Sequence, residues 1–151
     1  MDLDRAQVEW TLGNFPSQEL PELAAQMMMQ GFEGPAILEL VSYHRPGRWD
    51  VPPELVERAF REARRDPLPR AAAARLLAVR MARDIVERSV NPVEGAGRIL
   101  RVAPWGEQGL EMSPFMAMDE LVALWENETD SAERERCERL IVEAAWEFLE
   151  R

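Results

Sequence analysis

Apolar residues recur at spacings of three and four along most of the chain, as expected for helices that bury one face. The C-terminal stretch shows this most clearly, with an apolar face formed by Cys137, Leu140, Ile141, Ala144, Ala145, Phe148 and Leu149. No stretch alternates apolar and polar positions with the β-branched enrichment that is typical of strands. The pattern therefore predicts an all-α protein.

Glycines, prolines and capping residues divide this pattern into about seven or eight helices. The predicted helices cover approximately residues 4–12, 17–30, 35–43, 52–65, 69–89, 92–102, 113–127 and 131–151. Gly13 and Gly31 are expected to end the first two. Asp50, Asn91 and Asp130 are expected to cap the N-termini of three others.

The length of 151 residues and the short predicted links indicate one compact domain that spans residues 1–151. Similar tripeptides at three helix starts leave repeat-like stacking of helical hairpins open as an alternative. They are Pro21-Glu22-Leu23, Pro53-Glu54-Leu55 and Asp119-Glu120-Leu121. The spacing of the first two predicts a further copy near Arg88, and the sequence has none, so a multi-helix bundle is the preferred architecture.

Charge is distributed unevenly along the chain, which has a net charge of −10 and no lysine. Residues 1–50 carry 8 acids and 3 arginines, residues 51–103 carry 7 and 11, and residues 104–151 carry 13 and 4. The acidic total excludes a general affinity for nucleic-acid phosphate and argues against docking on anionic membranes. The middle segment is nevertheless basic between two acidic flanks.

The arginines of the middle segment have two interpretations. They pair with the acidic flanks inside the fold, or they form a patch for an anionic partner. Arg58, Arg61 and Arg65 are expected to share one helix face, as are Arg80 and Arg83. Acidic residues interrupt both faces, so nucleic-acid binding is the least favoured function.

The C-terminal third has its densest acidic cluster at Glu126, Glu128, Asp130, Glu133 and Glu135. An acidic helical surface is able to bind a basic protein, as an immunity-type or accessory factor would. The alternative is a solvated helix end, where acids in the first turn favour the helix dipole.

Two tryptophan-containing loops are further candidates for binding. The first presents His44, Arg45, Arg48 and Trp49, and the second contains Trp105. Loops often display binding groups, so a pocket near Trp49 or Trp105 would suit a small molecule. The alternative for Trp49 is a hydrophobic contact that stabilises the start of the next helix.

Residues for catalysis are scarce, and we expect no catalytic site, no metal and no cofactor, although an unrecognised enzyme stays open. His44 and Cys137 are the single histidine and cysteine, too few for a Cys/His zinc site. Cys137 lies on an apolar helix face and is expected to be a buried thiol. Gly95 and Gly97 interrupt a predicted helix, where they are expected to allow another helix to approach closely.

Three short motifs stand out in the second half of the chain: Asn91-Pro92-Val93-Glu94-Gly95-Ala96-Gly97-Arg98-Ile99, then Pro114-Phe115 and Leu124-Trp125-Glu126. Together with the acidic and arginine-containing segment and the Ala-rich helix that follow, they resemble uncharacterised helical proteins of GC-rich bacteria. Such proteins often read Pro-x-Glu-Gly-Ala-Arg-Arg-Ile here, so Gly97 departs at the first arginine position. The resemblance covers roughly residues 75–150 and implies a bacterial cytosolic source, but it carries over no activity.

We therefore expect a soluble cytoplasmic protein, since the chain starts without a basic and apolar leader and has no apolar run of roughly 18–20 residues. The leading hypothesis is a non-catalytic interaction protein with a protein partner. A homodimer is a further option, whereas nucleic-acid and membrane partners are not expected.

Overall fold

The computed structural model describes residues 2–43, 50–102 and 112–151, which form eight α-helices and one 3₁₀ turn. The helices are α1 (Leu3–Thr11), α2 (Leu20–Met29), α3 (Pro35–Val41), α4 (Pro53–Glu62), α5 (Arg70–Val86), α6 (Pro92–Val102), α7 (Met112–Asn127) and α8 (Ser131–Glu150). No strand occurs in these described ranges, so the predicted all-α class is confirmed. None of the helices in the described part of the chain has the length and apolar character needed to cross a membrane.

The predicted second helix is divided in two. Residues Ser17–Glu19 form the 3₁₀ turn, and α2 begins only at Leu20. Pro21 lies in the first turn of α2, where its missing N–H costs nothing because that donor has no partner within the helix.

Two helices end as the glycine pattern predicts. Gly13 after α1 and Gly31 after α2 adopt left-handed backbone conformations, with φ of 79° and 89°. The N–H of Gly31 donates to the carbonyl of Met28, and the N–H of Phe32 donates to that of Met27. These two bonds satisfy carbonyls that the last helical turn leaves without a partner.

Two other helices end in the same way on an arginine. Arg64 after α4 and Arg88 after α5 have φ of 57° and 59°. The N–H of Arg65 donates to the carbonyl of Phe60 at 2.8 Å, which closes the α4 motif. A side chain in this left-handed conformation costs about 1–2 kcal/mol, so glycine would suit both positions better. Because of these left-handed arginines, α4 ends at Glu62 and α5 at Val86, whereas the sequence predicts ends near residues 65 and 89.

Two of the three predicted N-caps are confirmed. The Asn91 side chain accepts from the N–H groups of Val93 and Glu94 at 2.9 and 3.3 Å, and Asp130 accepts from the N–H of Ala132 at 3.0 Å. The prediction for Asp50 is wrong, because α4 begins at Pro53 and the capping position is occupied by Pro52, which has no capping side chain. Asp50 lies too early for that role, and its carbonyl accepts from the Tyr43 hydroxyl at 2.8 Å.

Glu62, the last residue of α4, binds the start of α3. Its two carboxylate oxygens accept from the N–H groups of Ala36 and Ile37 at 3.0 and 2.9 Å. Gly34, the residue before α3, lies against the Glu62 side chain, and a Cβ at that position would overlap the Glu62 carboxylate. A residue 25 or 26 positions away along the chain thus supplies the N-terminal cap that α3 itself lacks.

Backbone contacts divide the chain into two compact units, unit 1 (Met1–Arg70) and unit 2 (Ala71–Arg151). The expectation of a single domain over residues 1–151 stays a prediction. In unit 1, α2 contacts α1 and α3, and α3 contacts α4. They enclose a core that includes Leu23, Met27, Ile37, Leu40 and Val56.

In unit 2, each of α6, α7 and α8 contacts the other two. The predicted apolar face of α8 is confirmed, since Cys137, Ile141, Ala144 and Ala145 are all buried. The ring of Phe148 on the same helix lies 5.1 Å from that of Phe115, centroid to centroid, with the planes tilted by 57°. The contact of α6 with both α7 and α8 indicates a three-helix arrangement in this part of unit 2.

The two glycines of α6 occupy different surroundings. A Cβ at Gly95 would lie 2.6 Å from Cγ1 of Ile85, on the preceding helix, and 3.2 Å from Cγ1 of Val90. Among the described residues, a Cβ at Gly97 would meet nothing within 4 Å. The expectation of close packing is therefore confirmed for Gly95, whereas no described residue packs against Gly97.

Candidate functional site

Five of the ten predicted site residues lie outside the described residues. They are His44, Arg45, Arg48, Trp49 and Trp105. The predicted pocket near Trp49 or Trp105 therefore stays a prediction.

The other five lie on the acidic hairpin, the name used here for α7, α8 and their link at residues 128–130. Glu128 holds this link: its Oε1 accepts from the N–H groups of Thr129 and Asp130, both at 2.8 Å. These two backbone bonds, with a smaller contribution from the Arg134 charge, lower the pKa of the Glu128 carboxyl below its usual 4.5. Asp130 then caps α8. Both acids are therefore explained by the structure of the turn.

Trp125 and Arg134 join the two helices of the acidic hairpin near the turn. The Arg134 guanidinium carbon lies 4.5 Å from the centre of the Trp125 ring, and its Nε donates to the Glu128 carbonyl at 2.6 Å. The Trp125 indole N–H donates to Glu138 at 3.3 Å. These contacts use one arginine of α8 to hold the hairpin, which removes it from the exposed charge.

The three remaining predicted acids lie at the surface. The Glu133 carboxylate is 3.9 Å from the Arg136 guanidinium, and both side chains are well exposed, so this pair contributes little to stability. Glu126 and Glu135 are exposed. Of the predicted cluster, these two have no structural duty in the turn and stay candidates for binding.

The acidic surface extends beyond the predicted cluster. Residues 112–151 contain 11 acids and 4 arginines. The acids that are exposed are Asp119, Glu120, Glu126, Asp130, Glu133, Glu135, Glu143, Glu147 and Glu150. Three large apolar side chains of the acidic hairpin are also exposed: Met116 at 52%, Leu124 at 61% and Trp146 at 51%. The exposure of these apolar residues is not visible in the sequence, because the helical pattern alone does not show which apolar positions stay uncovered by neighbouring helices.

The predicted arginine face of α4 is not formed. The left-handed Arg64 ends the helix before Arg65, so Arg65 leaves the face that Arg58 and Arg61 share. The Arg65 Nε donates to Asp4 Oδ1 at 2.9 Å, and Arg58 lies 3.9 Å from Glu39. Pairing with acids of unit 1 accounts for these two arginines.

Unit 1 contains a pocket of about 280 Å³ that sequence analysis did not predict. Its lining includes apolar Trp10, Phe60 and Leu68 and polar Gln7, Glu57 and Arg65. Residues of α1 and α4 meet there because the segment after α4 is bound to α1: the Gln7 side-chain amide donates to the Asp66 carbonyl at 2.7 Å. The sequence signal was limited to the three-residue spacings Gln7/Trp10 and Glu57/Phe60, which place each pair on one helix face.

Within the described residues, no group of three or more His, Cys, Asp or Glu side chains comes together in a way that would hold a metal ion. Cys137 is buried, as predicted. Comparison with protein-family models, curated proteins and solved structures finds no match to this chain. The resemblance over residues 75–150 stays a prediction, and function is inferred from the residues of the chain itself.

Proposed function

We propose that this protein is a non-catalytic cytoplasmic interaction factor, of accessory or immunity type, whose acidic hairpin binds a basic protein. The observation that carries the proposal is the excess of 11 acids over 4 arginines in residues 112–151, with nine of the acids exposed. A surface of this sign steers a basic partner towards it and repels nucleic acid.

The exposed apolar side chains favour a protein as the partner. Leu124 and Trp146 supply apolar area on the same two helices as the acids. Protein interfaces typically combine an apolar or aromatic centre with a charged rim, and tryptophan is enriched among the residues that dominate binding energy. A small cation would bind to the carboxylates only and would leave these apolar side chains exposed to water, so it accounts for less of the surface than a protein does.

Glu126 and Glu135 are the positions at which the proposal is tested most directly. Both are exposed, and neither takes part in the bonds that hold the turn. Glu126→Gln/Glu135→Gln therefore removes two charges from the acidic hairpin without loosening it. The matched control is Glu19→Gln/Glu22→Gln, which removes two exposed charges from unit 1.

The experiment is affinity capture with the full chain, its hairpin variant and the control variant, at about 50 mM and about 500 mM NaCl. We expect a basic protein that is captured at low salt by the wild type and the control, and at least about threefold less by the hairpin variant. Purified, that partner should bind with an affinity that falls as salt rises. Equal capture by the hairpin variant, or capture of nothing but a second copy of the chain, would refute the proposal.

A further inference from the structure

The unit 1 pocket has an unusual balance of charge. Arg65 lies on its wall, but the Arg65 guanidinium is already engaged by the protein. Its Nε donates to Asp4 at 2.9 Å, its Nη1 donates to the Ala63 carbonyl at 2.8 Å, and its Cζ lies 5.7 Å from the centre of the Phe32 ring. Arg65 has 21% of its side chain exposed and is paired with Asp4, so its charge is less available to a ligand than that of an unpaired side chain.

Among the described residues that line the pocket, Glu57 is the other one that carries a charge. It is exposed on α4, and none of the described residues forms an ion pair or hydrogen bond with its carboxylate. The pocket therefore presents one available negative charge, which repels an anionic ligand and attracts a cation.

The remaining wall is suited to a flat apolar body. Trp10 is half-buried and Phe60 is buried, and both line the pocket. An aromatic wall beside a carboxylate is the combination by which proteins recognise organic ammonium groups, since the ring face and the carboxylate both attract the cation. The volume of about 280 Å³ lies just below the usual range for drug-sized ligands, so the ligand is small.

We propose that the unit 1 pocket binds a small organic cation, namely a protonated amine attached to an aromatic or aliphatic body. The ammonium pairs with Glu57, and the apolar body lies against Trp10. The residues of this site belong to unit 1, and those of the acidic hairpin belong to unit 2.

Three small probes of similar size test the proposal on the full chain: phenethylammonium, neutral 2-phenylethanol and anionic 3-phenylpropionate. Binding is followed by two-dimensional NMR, with the Trp10 indole resonance assigned from a Trp10→Phe variant. The variant that removes the charge is Glu57→Gln. Its matched control is Glu54→Gln, an exposed glutamate one turn earlier on α4 that does not line the pocket.

We expect phenethylammonium to shift the Trp10 indole signal and to bind at least about threefold more tightly than 2-phenylethanol, with 3-phenylpropionate weakest. Glu57→Gln should abolish this preference and Glu54→Gln should retain it. The proposal is overturned if the three probes bind equally, if none shifts the Trp10 signal at about 10 mM, or if the preference survives in Glu57→Gln. It is also overturned if the phenethylammonium shifts are confined to α7 and α8, because that would indicate unspecific attraction to the acidic hairpin.

Discussion

Alanine substitutions at Gly95 and Gly97 should have different effects on the free energy of unfolding: Gly97→Ala should raise it and Gly95→Ala should not. The two positions lie two residues apart on α6, and each substitution adds one methyl group. Alanine is favoured over glycine inside a helix by about 1 kcal/mol, and this gain applies equally to both. Any difference between the variants therefore reports what the new methyl group meets.

The structure sets the size of that difference. The Cβ of Gly97→Ala meets no described residue within 4 Å, so this variant should be stabilised by about 1 kcal/mol. The Cβ of Gly95→Ala would lie 2.6 Å from a fully buried Ile85, and forcing an extra methyl group into a packed core costs about 1–3 kcal/mol. Gly95→Ala should therefore be less stable than Gly97→Ala by about 1–3 kcal/mol.

Urea unfolding followed by far-UV circular dichroism measures both variants against the wild type. Where two transitions are resolved, both substitutions should move the same one, because both lie in unit 2. Ile85→Ala provides the internal control, since it removes the two atoms nearest to the new methyl group. In that background Gly95→Ala should no longer destabilise, and should gain up to about 1 kcal/mol.

Equal stabilisation by Gly95→Ala and Gly97→Ala would refute the close approach of α5 to Gly95. A penalty at Gly95 that persists undiminished in the Ile85→Ala background would also contradict it, because the contact with Val90 at 3.2 Å accounts for only a smaller remainder. Gly97→Arg should also fold normally in the same assay, because its Cβ likewise meets no described residue within 4 Å.

Three further predictions concern the turns and caps. Gly34→Ala should lower the free energy of unfolding of unit 1 by about 1–2 kcal/mol, because it displaces the Glu62 carboxylate. In a Glu62→Ala background the same substitution should cost less, and additive losses in this double-mutant cycle would contradict the contact. Arg64→Gly and Arg88→Gly should each raise the unfolding free energy by about 0.5–1 kcal/mol by relieving the left-handed backbone, and a loss at both would argue against that conformation. The ionised form of Glu128, with its lowered pKa, should contribute stability that is fully present above pH 4.5 and is lost as the pH falls through the folded-state value. The difference in melting temperature between wild type and Glu128→Gln should therefore shrink in acid, and a constant difference would contradict the assignment.

The sequence predicted those helix ends at which the chemistry is local. Gly13 and Gly31 end helices because glycine adopts a positive φ at little cost, and Asn91 and Asp130 cap helices through bonds to residues two or three positions away. Arg64 adopts the same conformation as the glycines, but an arginine has no local preference for it. Such an end depends on the packing of the whole unit and leaves no signal in the sequence.

The candidate sites were predictable to a smaller extent. The charge of the C-terminal third can be counted along the chain, so the acidic surface was expected, although the use of Glu128 within the turn was not. The unit 1 pocket depends on where α1 lies relative to α4. That placement involves contacts such as Arg65 with Asp4, across about sixty positions of sequence, which helical periodicity does not encode.

The cap that Glu62 provides for α3 has a consequence for the order in which unit 1 is assembled. With only 7 residues, α3 is too short to persist alone in water, where isolated helices need roughly 12–15 residues. During synthesis on the ribosome, the first N–H groups of α3 lack their acceptor until α4, which carries Glu62, has been made and has folded. A nascent chain or proteolytic fragment that stops before Glu62 should therefore leave residues 35–41 without a stable helix.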